Sequence, residues 1–156
     1  MNMNGFTIKN VKPYVICNKE ITSCDIYHGN VLVAHYENKK GANPKISYAG
    51  DDAKAEVYEA VSEAFGTNAD IDLVQKFLFR VFDLYKYEFT MKHLQKSGQA
   101  EGIMILSEKD DPWKTMAVVA LRSLSGKTVQ KAKQMDHYMG FGLASVCSCP
   151  NDFILA

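Results

Sequence analysis

The chain has no excess of charge of either sign. Its 156 residues contain 18 lysines and arginines and 18 aspartates and glutamates, so the formal net charge is zero. Such a chain has no overall electrostatic attraction to nucleic acid or to an anionic membrane surface. The composition therefore disfavours nucleic acid as a partner, although local basic patches would permit it.

Long apolar runs are also missing. No stretch approaches the roughly 20 apolar residues that a membrane-spanning helix requires. The first six residues lack the basic segment and the apolar segment of a secretory signal. These absences predict that the protein has no membrane association and lies in the cytoplasm.

Complete catalytic motifs are absent too. Residues 125–128, Ser-Gly-Lys-Thr, resemble the end of a phosphate-binding P-loop, but the motif needs a glycine at the position of Leu121. At a predicted helix start these residues are instead a candidate anion-binding site. We therefore favour a protein that is not an enzyme, and we expect no cofactor. The four residues of the candidate anion site are Ser125, Gly126, Lys127 and Thr128.

Cysteines are few, and their spacing is unusual for a metal site. The four are Cys17, Cys24, Cys147 and Cys149. Reduced, structural thiols are the ordinary state of cysteines in the cytosol. A zinc site formed by all four is the alternative, although structural zinc sites usually pair cysteines two to four residues apart. His28 and His35 are candidate bases for a nucleophilic Cys24, since they flank a predicted turn close to it.

The first third of the chain has the pattern of an antiparallel β-meander. Gly29-Asn30 joins two β-prone runs, and residues of this type tolerate the positive φ of a hairpin turn. A polar loop over residues 37–44 then precedes a short fourth run. The predicted strands are Val11–Cys17, Ile21–His28, Val31–Tyr36 and Lys45–Tyr48.

Two helices are predicted in the middle of the chain. Asp51 and Asp52 are placed to cap the first helix and to complement its dipole, and Gly66 ends the helix. Asp70 is the predicted N-cap of a longer helix from Ile71 towards Ser97-Gly98. The apolar stripe of this second helix is wider than the ~100° of an ordinary surface helix, which favours a central place in the fold.

The C-terminal part has mixed signals. Asp-Pro-Trp at 111–113 has the form of a helix start, and we favour a helix through Leu124. A strand over Met116–Leu121 is the alternative, because short apolar runs fit either structure. The other predicted elements are a strand over Gly102–Leu106, a helix over Lys127–Met139, and short strands over Leu143–Val146 and Phe153–Leu155. Together the elements predict a single α+β domain over residues 1–156, with the meander packed against three or four helices.

Two aromatic residues of the long helix are candidate partner contacts. Phe79 widens the apolar stripe and Tyr87 projects opposite it, so the two could anchor a protein interface. Burial within the fold is the alternative for both. We therefore predict a protein that binds another protein or a second copy of itself. A domain that binds a small molecule or nucleotide ranks second, and a nucleic-acid-binding protein ranks third.

The segment Cys24–Tyr36, with the sequence CDIYHGNVLVAHY, resembles the hairpin that opens many small proteins of bacterial phages and mobile elements. The resemblance is confined to this N-terminal hairpin. It implies a small accessory or inhibitor protein that acts by contact with another protein, and it transfers no catalytic residue.

Overall fold

In the part of the chain that the structure describes, the strands form two antiparallel sheets and three α-helices accompany them, which confirms the predicted α+β class. The computed structural model describes residues 3–13, 20–139 and 141–152. Its elements are β1 (Phe6–Lys12), β2 (Ser23–His28), β3 (Val31–Glu37), β4 (Lys45–Tyr48), α1 (Asp51–Phe65), α2 (Ile71–Lys96), β5 (Gly102–Glu108), β6 (Asp111–Leu121), α3 (Gly126–Met139), β7 (Phe141–Cys147) and a short 3-10 helix (Pro150–Asp152).

The chain divides into two compact units, with the division between Lys86 and Tyr87 inside α2. The first unit contains the sheet β1–β4, and the second contains the sheet β5–β7. The single domain over residues 1–156 stays a prediction.

The first sheet is the expected meander, in the order β1-β2-β3-β4. Gly29 adopts a φ of 58° in the turn between β2 and β3, which explains the glycine there. The first strand begins at Phe6, earlier than predicted, because Phe6 and Ile8 supply its buried positions. Of the predicted strand Val11–Cys17, Val11 and Lys12 belong to β1 and Pro13 follows its end, while residues 14–17 lie outside the described residues.

One face of this sheet is apolar and the other polar. Cys24 and Ile26 on β2 pair with Tyr36 and Ala34 on β3, and all four are buried. The intervening Asp25 has its side chain on the opposite face, since strand side chains alternate. The sequence alternation thus separates a core face from a solvent-facing surface.

Helix α1 covers part of the apolar face through contacts with β3 and β4. The predicted capping by Asp51 and Asp52 was wrong, whereas their predicted place at the positive end of the helix dipole is confirmed. The N-cap is Gly50, without a side-chain hydrogen bond, and both aspartates lie in the first turn, where they complement the helix dipole. Gly66 ends the helix as expected, in the left-handed conformation with φ 66°.

Helix α2 begins as predicted. The Asp70 carboxylate accepts a hydrogen bond from the Leu73 N–H at 2.9 Å, which satisfies one of the free amides of the first turn. Within the first unit, Phe77 meets Phe6 edge-on with 5.3 Å between ring centroids. Of the predicted wide stripe, Ile71 and Phe79 are exposed, and one buried residue, Arg80, was not part of it. The buried residues of α2 in this unit are Val74, Phe77, Leu78, Arg80, Val81, Phe82 and Leu84.

The segment after Trp113 is a strand, and the helix favoured from sequence was wrong. The Asp111 carboxylate accepts a hydrogen bond from the Trp113 N–H at 3.0 Å, but it does so at the start of β6. Val118 and Val119 then pair with Ile105 and Met104 on β5. The β-branched residues and the cross-strand pairing together override the helix-start signal.

The second sheet has the order β6-β5-β7, and α3 packs on β7. Met104, Leu106 and Leu121 form a buried cluster that Val129 of α3 contacts. The predicted strand Leu143–Val146 is confirmed within β7, and the predicted helix Lys127–Met139 within α3. The predicted strand Phe153–Leu155 lies outside the described residues. Among the described helices, none combines the length and apolar character needed to cross a membrane.

Candidate functional site

A small cavity in the first unit lies between the end of the meander and α2. Its volume is about 230 Å³. Strand β3 contributes Tyr36, and α2 contributes Phe79 and Phe82, one turn apart. The lining residues are Glu20, Ile21, Tyr36, Asn38, Phe79, Phe82, Asp83 and Lys86.

Three aromatic rings form the apolar part of this cavity, which we call the Phe79 cavity. Tyr36 and Phe82 lie edge to face with 4.8 Å between centroids, and Phe79 lies 6.4 Å from Tyr36 and 6.2 Å from Phe82. Tyr36 and Phe82 are buried, at 3% and 4% exposure, whereas Phe79 is 43% exposed. Two rings therefore form a fixed floor, and the third presents its surface to solvent.

Charged groups line the rim of the Phe79 cavity. Asp83 pairs with Lys86 at 2.7 Å, and Glu20 is exposed. Burial raises the pKa of the Tyr36 hydroxyl above its ordinary value of 10.0, against the lowering effect of its hydrogen bond with Asn38. With two carboxylates and one ammonium, the rim carries an excess of one negative charge.

The two aromatic residues singled out from the sequence have different surroundings. Phe79 belongs to the first unit and lines the cavity. Tyr87 belongs to the second unit and is half-buried. The structure therefore places Phe79 in a cavity with Tyr36 and Phe82, and it does not join Tyr87 to that cavity. A role of either residue in partner binding stays a prediction.

A second group of polar side chains occupies the solvent-facing side of the first sheet. Asn10, at φ 53° in an irregular part of β1, donates a hydrogen bond to Asp25 at 2.6 Å. His35 Nδ1 lies 2.7 Å from the other carboxylate oxygen of Asp25. The Asn10 hydrogen bond, followed by that of His35, lowers the pKa of Asp25 below its ordinary value of 3.8.

This arrangement orients the His35 imidazole in a polar cleft of about 430 Å³ that Ser23 and Lys12 also line. A nucleophile activated by His35 would need a hydrogen bond to its ring. No such bond joins Ser23 to His35 in the described part of the chain. The group accordingly links β1 and β3 to β2 through the Asp25 carboxylate.

The structure separates Cys24 from both candidate bases. His28 stacks on Phe6 with 4.5 Å between ring centroids, and its Nδ1 contacts the Glu56 carboxylate. His35 lies on the opposite face of the sheet from Cys24. Burial, and secondarily the charge of Asp25, raises the pKa of the Cys24 thiol to about 12. A thiol with this pKa stays protonated at neutral pH and is a poor nucleophile.

The cysteines do not form a described metal site. Cys24 and Cys147 are buried, and Cys149 is exposed. Cys17 lies outside the described residues. Within residues 3–13, 20–139 and 141–152, no three His, Cys, Asp or Glu side chains are placed to hold a metal ion.

The candidate anion site lies at the start of α3, but a carboxylate of the chain lies close to it. The Ser125 carbonyl accepts the first helical N–H bonds, from Thr128 and Val129. Just before it, the Leu124 N–H donates a hydrogen bond of 2.7 Å to the Glu101 carboxylate. This carboxylate contributes negative charge next to the helix start. Binding of an anion by residues 125–128 stays a prediction.

The sequence did not predict most residues of the Phe79 cavity or of the polar group formed by Asn10, Asp25 and His35. The pairing of Asp25 with His35 depends on strand register, and the neighbourhood of Tyr36 and Phe82 depends on how a helix packs on a sheet. The available signal was the extra width of the apolar stripe on α2, to which Phe79 belongs.

Comparison of the chain with models of protein families, with curated proteins and with solved structures finds no match in any of the three. The resemblance of Cys24–Tyr36 to phage and mobile-element proteins therefore stays a prediction.

Proposed function

We propose that this chain is a non-enzymatic binding protein and that the Phe79 cavity of its first unit receives one side chain of a protein partner. The exposure of Phe79 carries the proposal. A phenylalanine that is 43% exposed beside a cavity with a rigid aromatic floor is the kind of anchor that dominates protein interfaces, where aromatic side chains fill desolvated pockets.

The size of the cavity favours a side chain over a free ligand. Sites that enclose small molecules usually have volumes of roughly 300–1,000 Å³. The Phe79 cavity, with about 230 Å³, lies below that range. A small molecule or nucleotide is the second candidate occupant, and nucleic acid is third, because neither the net charge nor the cavity rim attracts phosphate.

The chemistry of the rim favours arginine as the inserted residue. Its planar guanidinium stacks on aromatic rings and pairs with carboxylates, and its aliphatic stem packs on apolar surface. Phe79 supplies an exposed ring and Glu20 an exposed carboxylate. The partner is therefore a protein that presents an exposed arginine. An inhibitor of phage or mobile-element origin fits this mode of action, and that origin rests on the hairpin resemblance alone.

The proposal is tested by recovering complexes from host cells with matched variants and weighing them by native mass spectrometry. Phe79→Ala removes the anchor, and Ile71→Ala is the control, because Ile71 is 49% exposed on the same helix but outside the cavity. We expect one stoichiometric protein partner with the wild type and Ile71→Ala, and none with Phe79→Ala. Retention of the partner by Phe79→Ala would contradict the proposal, as would a wild type that carries only a small additional mass.

The role of Glu20 is tested separately, once the partner is identified. Glu20→Gln keeps the shape of the side chain and removes its charge. We expect weaker binding, with the difference from wild type shrinking at high salt because salt screens exposed charges. Equal affinities at low salt would exclude arginine as the inserted residue.

A further inference from the structure

The polar cleft of the first unit, which we call the His35 cleft, lies beside a bulge in β1. Lys9 pairs with Asp25 on β2. The next pair joins Lys12 to Ser23, so three steps along β1 correspond to two along β2. Without the extra residue, Lys12 would face the core side of the sheet, because strand side chains alternate. With it, Lys12 and Ser23 lie on the same solvent-facing side as Asp25. Bulges often redirect side chains in this way beside functional sites.

The hydrogen-bond acceptors of the His35 cleft are used within the protein. One oxygen of Asp25 accepts a bond from Asn10 at 2.6 Å, and the other lies 2.7 Å from His35 Nδ1. Asp25 is charged at neutral pH, since these bonds lower its pKa, so Nδ1 is the donor. The Lys12 carbonyl accepts bonds from the N–H and the hydroxyl of Thr22. The negative charge of the cleft is thus already satisfied by internal donors.

The hydrogen-bond donors of the His35 cleft, in contrast, remain available. Lys12 is exposed, and its ammonium forms no ion pair within the described part of the chain. Among the same residues, neither the Ser23 hydroxyl nor His35 Nε2 has a hydrogen-bond partner. The His35 side chain is 49% exposed. An ammonium, a hydroxyl and an imidazole from three neighbouring strands therefore line one cleft, and they match a ligand group that is anionic and rich in acceptors.

The charge around the His35 cleft also favours an anion. Residues 1–50 contain six lysines and three acidic residues, whereas residues 51–70 contain one lysine and six acidic residues. The N-terminal part is therefore positive although the whole chain has no net charge. A local positive field of this kind attracts anionic ligands.

We infer that the His35 cleft binds the phosphate group of a small phosphorylated molecule, with Lys12, Ser23 and His35 as the donors. A phosphate monoester offers three acceptor oxygens and about 1.5–2 negative charges near pH 7, whereas a carboxylate offers two oxygens and one charge. The cleft volume of about 430 Å³ lies within the roughly 300–1,000 Å³ of small-molecule sites. It therefore has room for more than the phosphate. This inference is independent of the Phe79 cavity.

Phosphate binding takes up a proton at His35. With Nδ1 bonded to Asp25, only the protonated ring also donates from Nε2. Glu37 lies on the same side of the sheet, but its carboxylate pairs with Lys39 at 3.3 Å. The contribution of His35 to affinity therefore increases as pH falls through the range in which histidine titrates. The charged strand residues on this side of the sheet are Lys9, Lys12, Asp25, Glu37 and Lys45.

Titration calorimetry of the full chain with glycerol phosphate tests the inference, in about 0.15 M salt to screen distant charges. Lys12→Met removes the ammonium and keeps the apolar stem. Lys45→Met is the matched control, because Lys45 is an exposed lysine of the same sheet that does not line the cleft. We expect the affinity to fall by about tenfold in Lys12→Met and to stay unchanged in Lys45→Met and in Phe79→Ala.

His35→Gln tests the proton uptake. Because phosphate itself titrates at about pH 6, the quantity to compare is the ratio of the wild-type affinity to the variant affinity at one pH. We expect this ratio to be larger at about pH 6 than at about pH 8. Equal ratios at the two pH values overturn the role of His35.

The remaining outcomes decide the site and the source of the phosphate. No saturable binding of glycerol phosphate by the wild type overturns the inference, and so does an equal loss of affinity in Lys12→Met and Lys45→Met. Inorganic phosphate and an oligonucleotide without terminal phosphates are titrated in parallel. If either binds more tightly than glycerol phosphate and depends on Lys12, the small phosphate ester is overturned as the ligand. Weaker binding of both supports it.

Discussion

Single substitutions of Phe79 and Phe82 by alanine distinguish a ring that is exposed for partner binding from a ring that stabilises the fold. Both belong to α2, and their centroids lie 6.2 Å apart. Phe82 is 4% exposed, so its truncation leaves a cavity, and buried Phe→Ala changes cost about 3–5 kcal/mol. Phe79 is only somewhat more than half buried, and its truncation opens to solvent without leaving a closed void.

The expected loss for Phe79→Ala follows from its exposure. Complete burial of a phenylalanine side chain contributes about 1.5–3 kcal/mol. With 43% of the residue exposed in the free protein, the loss of unfolding free energy is about 1–1.5 kcal/mol on the same scale. Urea denaturation followed by far-ultraviolet circular dichroism measures both variants, with Ile71→Ala as a control of comparable exposure.

The exposed part of Phe79 also sets the expected effect on binding. An aromatic side chain buries about 150–250 Å², so covering the exposed 43% removes roughly 85 Å² from water and contributes about 2 kcal/mol to affinity. Phe79→Ala is thus expected to weaken the affinity for the partner by about 30-fold. If Phe79→Ala and Phe82→Ala destabilised the chain equally, Phe79 would be a structural ring and the reasoning would be refuted.

Three further predictions concern thiols, acid and a helix cap. Iodoacetamide at neutral pH modifies the exposed Cys149 in the native protein, whereas Cys24, with a pKa near 12, reacts only after unfolding; peptide mass spectrometry distinguishes the two. The lowered pKa of Asp25 contributes stability that is complete above its ordinary value of 3.8 and is lost as pH falls through the folded-state value. The urea midpoints of wild type and Asp25→Asn are therefore expected to converge in acid. Asp70→Ala is expected to cost about 1 kcal/mol in urea denaturation, and Asp70→Asn much less.

Each of these predictions has its own contrary result. Rapid native labelling of Cys24 would contradict the burial of its thiol in the folded protein. A constant difference between wild type and Asp25→Asn from neutral to acid pH would mean that the hydrogen bonds of Asp25 do not favour its charged form. Equal stability of Asp70→Ala and wild type would mean that the hydrogen bond to the Leu73 amide is replaced by water at no cost.

Local signals in the sequence predicted the elements whose causes are local. The turn at Gly29 and the cap at Asp70 depend on one or two residues, and both were predicted. The wide apolar stripe of α2 was also read correctly, because helical periodicity needs no knowledge of the partner surface. Each of these features depends only on residues within one or two turns along the chain.

The error at β6 has a non-local cause. Asp111 supplies the same carboxylate-to-amide hydrogen bond at the start of a strand as it would at a helix start, so this signal does not discriminate. The pairing of Val118 and Val119 with β5 makes this segment a strand, and that pairing cannot be read from the sequence. Asp51 and Asp52 illustrate the reverse case, since their charges suit a helix start although Gly50 holds the N-cap position.

The candidate site was the least predictable part for the same reason. Tyr36 and Phe82 come from a strand and a helix that are far apart in sequence, and only tertiary packing brings them together. Regular pairing outward from the Gly29-Asn30 turn would have set Asp25 opposite Ala34. The observed register sets it opposite His35, because the ladder shifts by one residue between Ile26 and Tyr27.

That shift divides the hairpin of β2 and β3 into two ladders of different register. Ile26 pairs with Ala34 and Tyr27 with Leu32, so Val33 is the additional residue between two regular ladders. The tip beyond it exposes Val31 and Leu32, whereas the body holds Asp25 against His35. Residues added in facing pairs at the tip would lengthen the hairpin and leave the body in register. The extra residue Val33 consequently makes the contact of Asp25 with His35 independent of the length of the hairpin tip.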